Sequence, residues 1–238
     1  MAAFELHDVA LGYAGRAAVR HLNGTFAAGS LTAIVGPNGS GKSTVLKGLA
    51  GLLKPLSGHI ARLNVGLRDL AYLPQVGELD VSFPATVDDL VSMGLWKTRG
   101  LFQQHSAADQ RSIVTALIRV GLQDVRQKQI SALSGGQLQR ALFARLILQD
   151  AQAILLDEPF TAIDESTTED LMALITEWHS QGRTVLAVLH DIEFVKKHFP
   201  HTLLLAKRPV AWGATSDVLQ SASLAKVQRI MLEGTKAA

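Results

Sequence analysis

A glycine-rich run near the N-terminus has the residue types and the spacing that bind the phosphates of a nucleotide. It fits the pattern G-x-x-x-x-G-K-[ST] and consists of Gly36, Pro37, Asn38, Gly39, Ser40, Gly41, Lys42, Ser43 and Thr44. Its glycines allow backbone angles that turn consecutive N–H groups toward an anion. Lys42 supplies a cation for the β- and γ-phosphates, and the Ser43 hydroxyl is a hard oxygen ligand suited to Mg²⁺. The run therefore predicts a site for a nucleoside triphosphate with Mg²⁺.

The segments on either side of this phosphate loop (residues 36–44) have the patterns of a strand and a helix. Residues 31–35 form an apolar run typical of a buried strand. Beyond the loop, apolar residues recur at helical spacing, at Val45, Leu46, Leu49, Leu52 and Leu53. The phosphates are then expected at a helix N-terminus, where unpaired N–H groups and the helix dipole favour negative charge. An ordinary glycine-rich turn is the alternative, which this strand–loop–helix context disfavours.

Two carboxylates end a second apolar strand. Residues 153–156 are apolar without alternation, as in a parallel sheet, and Asp157 and Glu158 follow them. Because buried carboxylates need a cation, we expect Asp157 to hold Mg²⁺, directly or through water, beside the phosphate loop. Glu158 is then placed to accept a proton from an attacking water. The alternative is a solvated strand terminus without a chemical role.

The run Leu133-Ser134-Gly135-Gly136-Gln137 opens a predicted helix and has two interpretations. Ser134 and Gln137 have the spacing of a capping box, which is a sufficient structural explanation. The functional interpretation is a second anion site, in which the paired glycines let backbone N–H groups approach a phosphate. Since one nucleotide does not need two such loops from one chain, the second loop would face a nucleotide held by another copy.

The bulk composition excludes several classes of protein. The chain has 238 residues, a net charge of +2 and no cysteine, which suits one sizeable core in a reducing cytosol. No run of five or more like charges is present, so a nucleic-acid surface is not indicated. No apolar stretch reaches the length of a membrane span, and the first residues lack the pattern of a secretory signal. At 47% hydrophobic residues, the chain has either a large core or an apolar surface that a partner covers.

Local patterns predict the remaining elements. Gly12-Tyr13 and Asn23-Gly24 indicate turns in a strand-rich opening, and Leu203–Leu205 is expected to be the last core strand. Residues 80–150 have a helical pattern. Helix starts are predicted by the capping boxes at Thr86–Asp89, Ser106–Asp109 and Ser166–Glu169. A loop between two of these helices carries Leu95, Trp96, Leu101 and Phe102, which are either scattered core residues of a monomer or a docking patch.

Taken together and in this order, the phosphate loop, Gln75, LSGGQ, Asp157-Glu158 and His190 resemble an ATP-binding cassette (ABC) ATPase over roughly residues 4–215. The resemblance implies an α/β phosphate-loop NTPase core, with a mainly parallel sheet and an antiparallel β edge, plus a helical signature subdomain. The expected division is a single ABC ATPase domain, 1–238. Its core covers about 1–79 and 151–215, the helical subdomain about 80–150 and a short tail 216–238.

The resemblance also implies roles for individual residues in a head-to-tail pair of cassettes that encloses two ATP molecules. Tyr13 would stack on adenine, Gln75 would serve the Mg²⁺ and water region, and His190 would hold the γ-phosphate and orient Glu158. The LSGGQ residues Ser134, Gly135, Gly136 and Gln137 would bind the nucleotide of the opposite chain, and Asp164 would cross the interface. The family's usual S-A-L-D sequence is Thr161-Ala162-Ile163-Asp164 here, with the aspartate kept.

Within the family, residues 80–87 and 91–94 resemble the bacterial zinc and manganese importer ATPases. That resemblance implies integral-membrane permease partners, an extracytoplasmic binding protein and attachment to the cytoplasmic face of the plasma membrane. An importer for iron chelates or another solute is an alternative. A non-transport relative acting on DNA or ribosomes is another, although the chain has one cassette and no long coiled coil between Gln75 and Leu133.

Overall fold

A computed structural model describes residues 1–99 and 105–236 of the chain. The chain divides into two compact units. The first unit contains residues 1–72, 152–158 and 178–238, and the second contains residues 73–151 and 159–177. Among residues 1–99 and 105–236, none of the helices has the length and hydropathy of a membrane span.

The strands of the described residues belong to two sheets. In chain order they are β1 Ala2–Tyr13, β2 Arg16–Ala27, β3 Leu31–Val35, β4 Ser57–Arg62, β5 Leu70–Leu73, β6 Ala153–Asp157, β7 Thr184–Val188, β8 His201–Leu205 and β9 Pro209–Ala214. A smaller antiparallel sheet has the order β2-β1-β4, and a larger sheet has the order β5-β6-β7-β3-β8-β9. In the larger sheet, β3 pairs with β7 and β8 in parallel and β6 pairs with β7 in parallel, whereas β9 is antiparallel to β8.

This arrangement confirms the predicted fold class, an α/β core with a mostly parallel sheet and an antiparallel sheet. The buried strands β3, β6 and β7 have no exposed face, which explains their unbroken apolar sequences. The prediction that residues 203–205 form the last core strand is confirmed, because all three are buried in β8. The edge strand β9, which follows β8 and pairs with it, was not predicted. Its residues are only partly buried, so their sequence lacks the strongly apolar pattern of the central strands.

Two predicted turns were wrong. Asn23 and Gly24 lie inside β2, where the Asn23 side chain accepts a hydrogen bond from the Asp8 N–H (2.8 Å) at an irregularity of β1. A Cβ atom on Gly24 would approach the Trp212 ring to 2.7 Å, so this glycine allows close packing rather than a turn. The turn predicted at Gly12-Tyr13 lies slightly further along, between Tyr13 and Arg16.

The helices of the described residues are α1 Lys42–Leu49, α2 Val87–Ser92, α3 Trp96–Arg99, α4 Ala107–Arg119, α5 Gly135–Gln149, α6 Glu165–Ser180, α7 Ile192–His198, α8 Thr215–Val218 and α9 Ser221–Lys236. Helix α1 contributes Val45, Leu46 and Leu49 to the core of the first unit, together with residues of both sheets. It is shorter than its apolar pattern suggested, since Leu52 lies beyond its end and is 66% exposed.

In the second unit, α2 and α4 pack against α5. The three capping boxes that begin these helices are present as predicted, at Thr86, Ser106 and Ser134. In the proposed docking patch, Leu95 is buried and Trp96 is 46% exposed. Leu101 and Phe102 lie outside the described residues.

Candidate nucleotide site

The phosphate loop joins β3 to α1 and requires glycine at two points of close approach. Gly41, the residue before α1, has φ 97°, and a Cβ atom there would lie 2.0 Å from Val19 Cγ2. A Cβ atom on Gly36 would lie 2.1 Å from the Leu205 carbonyl oxygen. Because both distances are far below van der Waals contact, the loop's path between β2 and β8 depends on these glycines.

The Lys42 ammonium group lies within this loop. Its Nζ donates to the carbonyl oxygens of Gly36 (2.9 Å) and Pro37 (3.1 Å), and the residue is only 6% exposed. Burial lowers the Lys42 pKa from its ordinary value, whereas the charges of Glu158 and Asp157 act in the opposite direction. The loop thus holds a poorly solvated cation at the N-terminus of α1, an environment that suits a phosphate anion.

Asp157 ends β6 and is 1% exposed. Its Oδ1 accepts a hydrogen bond from the Ser43 hydroxyl (2.9 Å), and its Oδ2 accepts one from the Tyr72 hydroxyl (3.3 Å). A carboxylate and a hydroxyl next to the phosphate loop are the hard oxygen donors that Mg²⁺ prefers. The residues therefore fit a magnesium ion, and the first turn of α1 and the end of β6 bring them together.

Glu158 and His190 form a second polar pair in the same unit. Glu158 Oε1 lies 2.6 Å from His190 Nε2, with side-chain exposures of 14% and 41%, respectively. The two residues follow the neighbouring parallel strands β6 and β7, so their side chains meet where both strands end. Glu158 has φ 51°, a left-handed conformation that is uncommon for a residue other than glycine.

Tyr13 is the last residue of β1, pairs with Arg16 across the hairpin and is 51% exposed. The following strand β2 contains Val19, which packs against Gly41 of the phosphate loop. An exposed aromatic ring is thus attached to the hairpin that adjoins the loop. The stacking of this ring on adenine stays a prediction.

In the second unit, the LSGGQ residues form the N-terminus of α5. The Ser134 hydroxyl accepts from the Gln137 N–H, and Gln137 Oε1 accepts from the Ser134 N–H, both at 3.2 Å. This confirms the structural interpretation, a capping box. Gly135 and Gly136 occupy the first turn, and Ser134 and Gly135 are exposed. The role of these four residues toward a second nucleotide stays a prediction.

Asp164 is the residue immediately before α6, and its carboxylate accepts three hydrogen bonds. The donors are the Thr167 N–H (2.8 Å), the Thr167 hydroxyl (2.9 Å) and the Ser166 hydroxyl (2.6 Å). These donors hold the Asp164 pKa well below its ordinary value, with Ser166 the largest cause. The predicted capping box at Ser166–Glu169 was wrong, because α6 begins at Glu165 and Asp164 caps it.

Gln75 lies in the second unit, two residues after β5, at the start of a short 3₁₀ turn over Val76–Glu78. Each unit therefore carries part of the predicted residue set. The first unit brings together the phosphate loop, Asp157, Glu158 and His190, whereas the second unit carries Gln75, the LSGGQ residues and Asp164.

The sequence analysis predicted no role for Tyr72. This residue lies on β5, next to β6 in the larger sheet, and its hydroxyl contacts the Asp157 carboxylate. A signal for this role is present only in the pairing of the two strands.

Comparison with known proteins identifies the family. The family model for ABC transporters matches residues 19–161. The manganese transport system ATP-binding protein MntB of Bacillus subtilis (strain 168) is 37% identical over 226 residues, which cover 93% of this chain and 90% of that protein. The manganese transport system ATP-binding protein MntA of Synechocystis sp. (strain ATCC 27184) is 37% identical over 215 residues, with coverages of 88% and 83%.

Two solved structures of ABC proteins have the same fold as this chain. An ABC transporter assigned to the metal-chelate type, in an inward-facing conformation, has a TM-score of 0.84 and 28% identity, covering 96% of this chain and 90% of that one. The ATP-binding cassette MJ0796, in a dimeric post-hydrolysis state with ADP and phosphate, shares the fold with a TM-score of 0.79 at 24% identity, with coverages of 89% and 98%. The chain has the ATPase domain of a transport system, it binds nucleotide, and it belongs to the ABC transporter family.

Proposed function

We propose that this chain is the ATP-hydrolysing subunit that energises a membrane importer for a divalent metal ion, manganese or zinc. The relatives named as manganese transport ATP-binding proteins support this substrate class, because the similarity covers nearly the whole of each chain. The single observation that carries the catalytic part is the contact between Glu158 Oε1 and His190 Nε2, 2.6 Å long. It provides a carboxylate base and the group that orients it.

The predicted site residues divide the work of phosphoryl transfer. Lys42 and the backbone N–H groups of the phosphate loop bind the phosphates. Ser43 and Asp157 would hold Mg²⁺, and Gln75 would reach the region of this ion and the attacking water. When bound, Mg²⁺ supplies positive charge that stabilises the phosphate oxygens. Glu158 accepts the proton of the water, while His190 keeps the Glu158 carboxylate in place and contacts the γ-phosphate.

The second copy of the chain completes the site in this proposal. Ser134, Gly135, Gly136 and Gln137 of one subunit bind the nucleotide held by the phosphate loop of the other, and Tyr13 stacks on its adenine. The Asp164 carboxylate already accepts three hydrogen bonds within its own chain. Asp164 therefore contacts the other subunit through its backbone and through the turn that it caps. Closure of the pair on ATP and opening after hydrolysis provide the mechanical stroke.

The partners follow from the same proposal. The pair of ATPase subunits binds permease subunits at the cytoplasmic face of the plasma membrane, and an extracytoplasmic binding protein delivers the metal to the permease. The functional division into a core over about 1–79 and 151–215, a helical subdomain over about 80–150 and a tail over 216–238 stays a prediction. An importer for a metal chelate is a second candidate, because the solved transporter at 28% identity is assigned to that type.

Metal uptake by cells tests the transported substrate. The gene is deleted in its own organism, and the deletion strain is complemented with either wild-type protein or Glu158→Gln at equal expression. Uptake of ⁵⁴Mn²⁺ and ⁶⁵Zn²⁺ is then measured in each strain. We expect loss of uptake for one of the two free ions, restored by wild-type protein and not by the variant. Unchanged uptake of both ions, together with loss of uptake of a metal chelate, would favour the second candidate.

A further inference from the structure

The hydroxyl of Tyr72 contacts the Asp157 carboxylate, which is expected to hold Mg²⁺ directly or through water. Asp157 is held from both sides, since its Oδ1 faces the Ser43 hydroxyl at 2.9 Å and its Oδ2 faces the Tyr72 hydroxyl at 3.3 Å. We propose that Tyr72 is a positioning residue that fixes the rotation of this carboxylate and so raises the affinity of the site for the divalent ion. This inference rests on the proposed Mg²⁺ site.

The surroundings of Tyr72 make it a firm anchor. Tyr72 lies on β5, which neighbours β6 in the larger sheet, so its backbone is held beside the strand that ends at Asp157. Its ring is partly buried and packs against the core of the first unit. The ring therefore has little freedom to move, and the hydroxyl stays near Oδ2.

A fixed carboxylate matters because Asp157 is 1% exposed and has little water to orient it. If the hydroxyl on Oδ2 is removed, the Ser43 hydroxyl on Oδ1 is the one remaining restraint, among the contacts described, on rotation of the carboxylate about its Cβ–Cγ bond. Groups that orient a metal ligand in this way typically change metal affinity by about 10- to 100-fold. A separation of 3.3 Å is long for an O–H···O hydrogen bond, so we expect about a tenfold effect, the low end of that range.

Binding of Mn²⁺, measured by the electron paramagnetic resonance signal of the free ion, tests the proposal without relying on activity. The full chain is saturated with ADP, and a protein-free nucleotide blank is subtracted. Tyr72→Phe keeps the ring and removes only the hydroxyl, so the Kd for Mn²⁺ should rise about tenfold. Thr32→Val is the matched control, because it removes another buried hydroxyl of the larger sheet. Among the contacts described, the Thr32 hydroxyl bonds only to Ser30. The Kd of this variant for Mn²⁺ should equal that of the wild type.

A third variant, Asp157→Asn, separates the two possible failures. If Asp157→Asn weakens Mn²⁺ binding and Tyr72→Phe does not, the positioning role of Tyr72 is wrong while the proposed Mg²⁺ site stands. If Asp157→Asn also leaves the Kd unchanged, the Mg²⁺ site itself is wrong, and the role of Tyr72 fails with it. Thermal unfolding without metal shows whether any variant changes Kd merely through loss of folded protein.

The tyrosine content allows a second measurement on the intact protein. The chain has two tyrosines, Tyr13 and Tyr72, so 3-fluorotyrosine labelling yields two ¹⁹F signals that Tyr72→Phe assigns. Addition of Mg²⁺ to the ADP-saturated protein should shift the Tyr72 signal, because its hydroxyl contacts the carboxylate at the ion. A Tyr72 signal that does not respond to Mg²⁺, while the protein binds the ion, would overturn the proposal.

Discussion

At the scale of single residues, Glu158 combines an uncommon backbone conformation with a short polar contact. Its φ of 51° places it in the left-handed region, which costs about 1–2 kcal/mol for a residue with a Cβ atom. The residue that precedes a proline, here Pro159, is usually extended, so this conformation departs from the local preference as well. Such strain at a carboxylate that contacts His190 is typical of a functional position.

The substitution Glu158→Gln should therefore remove hydrolysis and preserve ATP binding. A glutamine side chain has nearly the same shape but cannot accept the proton, and loss of a general base typically lowers the rate by about 10²- to 10⁴-fold. Phosphate release measures the rate, and binding of a fluorescent ATP analogue measures the affinity. Glu193→Gln on α7 is the matched control, because Glu193 is exposed and pairs only with Lys196 among the described contacts. Full activity of the Glu158→Gln protein would contradict the role assigned to Glu158.

At the scale of elements, side-chain caps begin the helices α2, α4 and α5 of the second unit. Thr86, Ser106 and Ser134 each accept a hydrogen bond from the N–H three residues ahead, and the residue at that position returns one. These are short-range contacts, which is why the sequence predicted all three. Helix α6 differs, because its cap is Asp164, which precedes the capping box predicted at Ser166–Glu169. The Asp164 carboxylate accepts a hydrogen bond from the Thr167 N–H in the first turn of the helix.

The cap of α4 offers a test of element stability. Replacement of Ser106 by alanine leaves the Asp109 N–H without this partner and should lower the free energy of unfolding by about 1 kcal/mol. Thr115→Ala in the middle of the same helix is the control, because alanine has the higher helix propensity. Among the contacts described, the Thr115 hydroxyl bonds only to the Arg111 carbonyl oxygen of the same helix. Urea unfolding followed by circular dichroism compares them; equal destabilisation by both substitutions would argue against a specific cap.

At the scale of the whole molecule, each of the two units carries a different part of the residue set. The first unit has the phosphate loop with the pairs Ser43–Asp157 and Glu158–His190, and the second unit has the LSGGQ residues. The proposal that LSGGQ binds the nucleotide of another copy makes the dimer a requirement for turnover. Retention of ATP by a non-hydrolysing variant should then hold two chains together.

ATP is expected to convert the Glu158→Gln protein from monomer to dimer, as measured by light scattering coupled to size-exclusion chromatography. Adding Gly136→Asp should prevent this, because its carboxylate repels the γ-phosphate. Gly136→Ala is the folding control, since a Cβ atom there would meet Asp164 and Thr167 at ordinary contact distances of 3.7 Å. Persistence of the monomer with saturating ATP, in a protein that binds it, would contradict the shared site.

The sequence by itself determined the features that depend on neighbouring residues. The phosphate loop, the buried strands and the three capping boxes follow from residue types at short, constant spacing, so local geometry was sufficient to predict them. The contacts of the site depended on the order of the larger sheet instead. That order places β5, β6 and β7 side by side, so that Tyr72 reaches Asp157 and His190 reaches Glu158 although 85 and 32 residues separate the partners. Strand pairing between distant segments is a tertiary interaction, and for the same reason β9 and the interior position of Asn23-Gly24 were visible only in the folded chain.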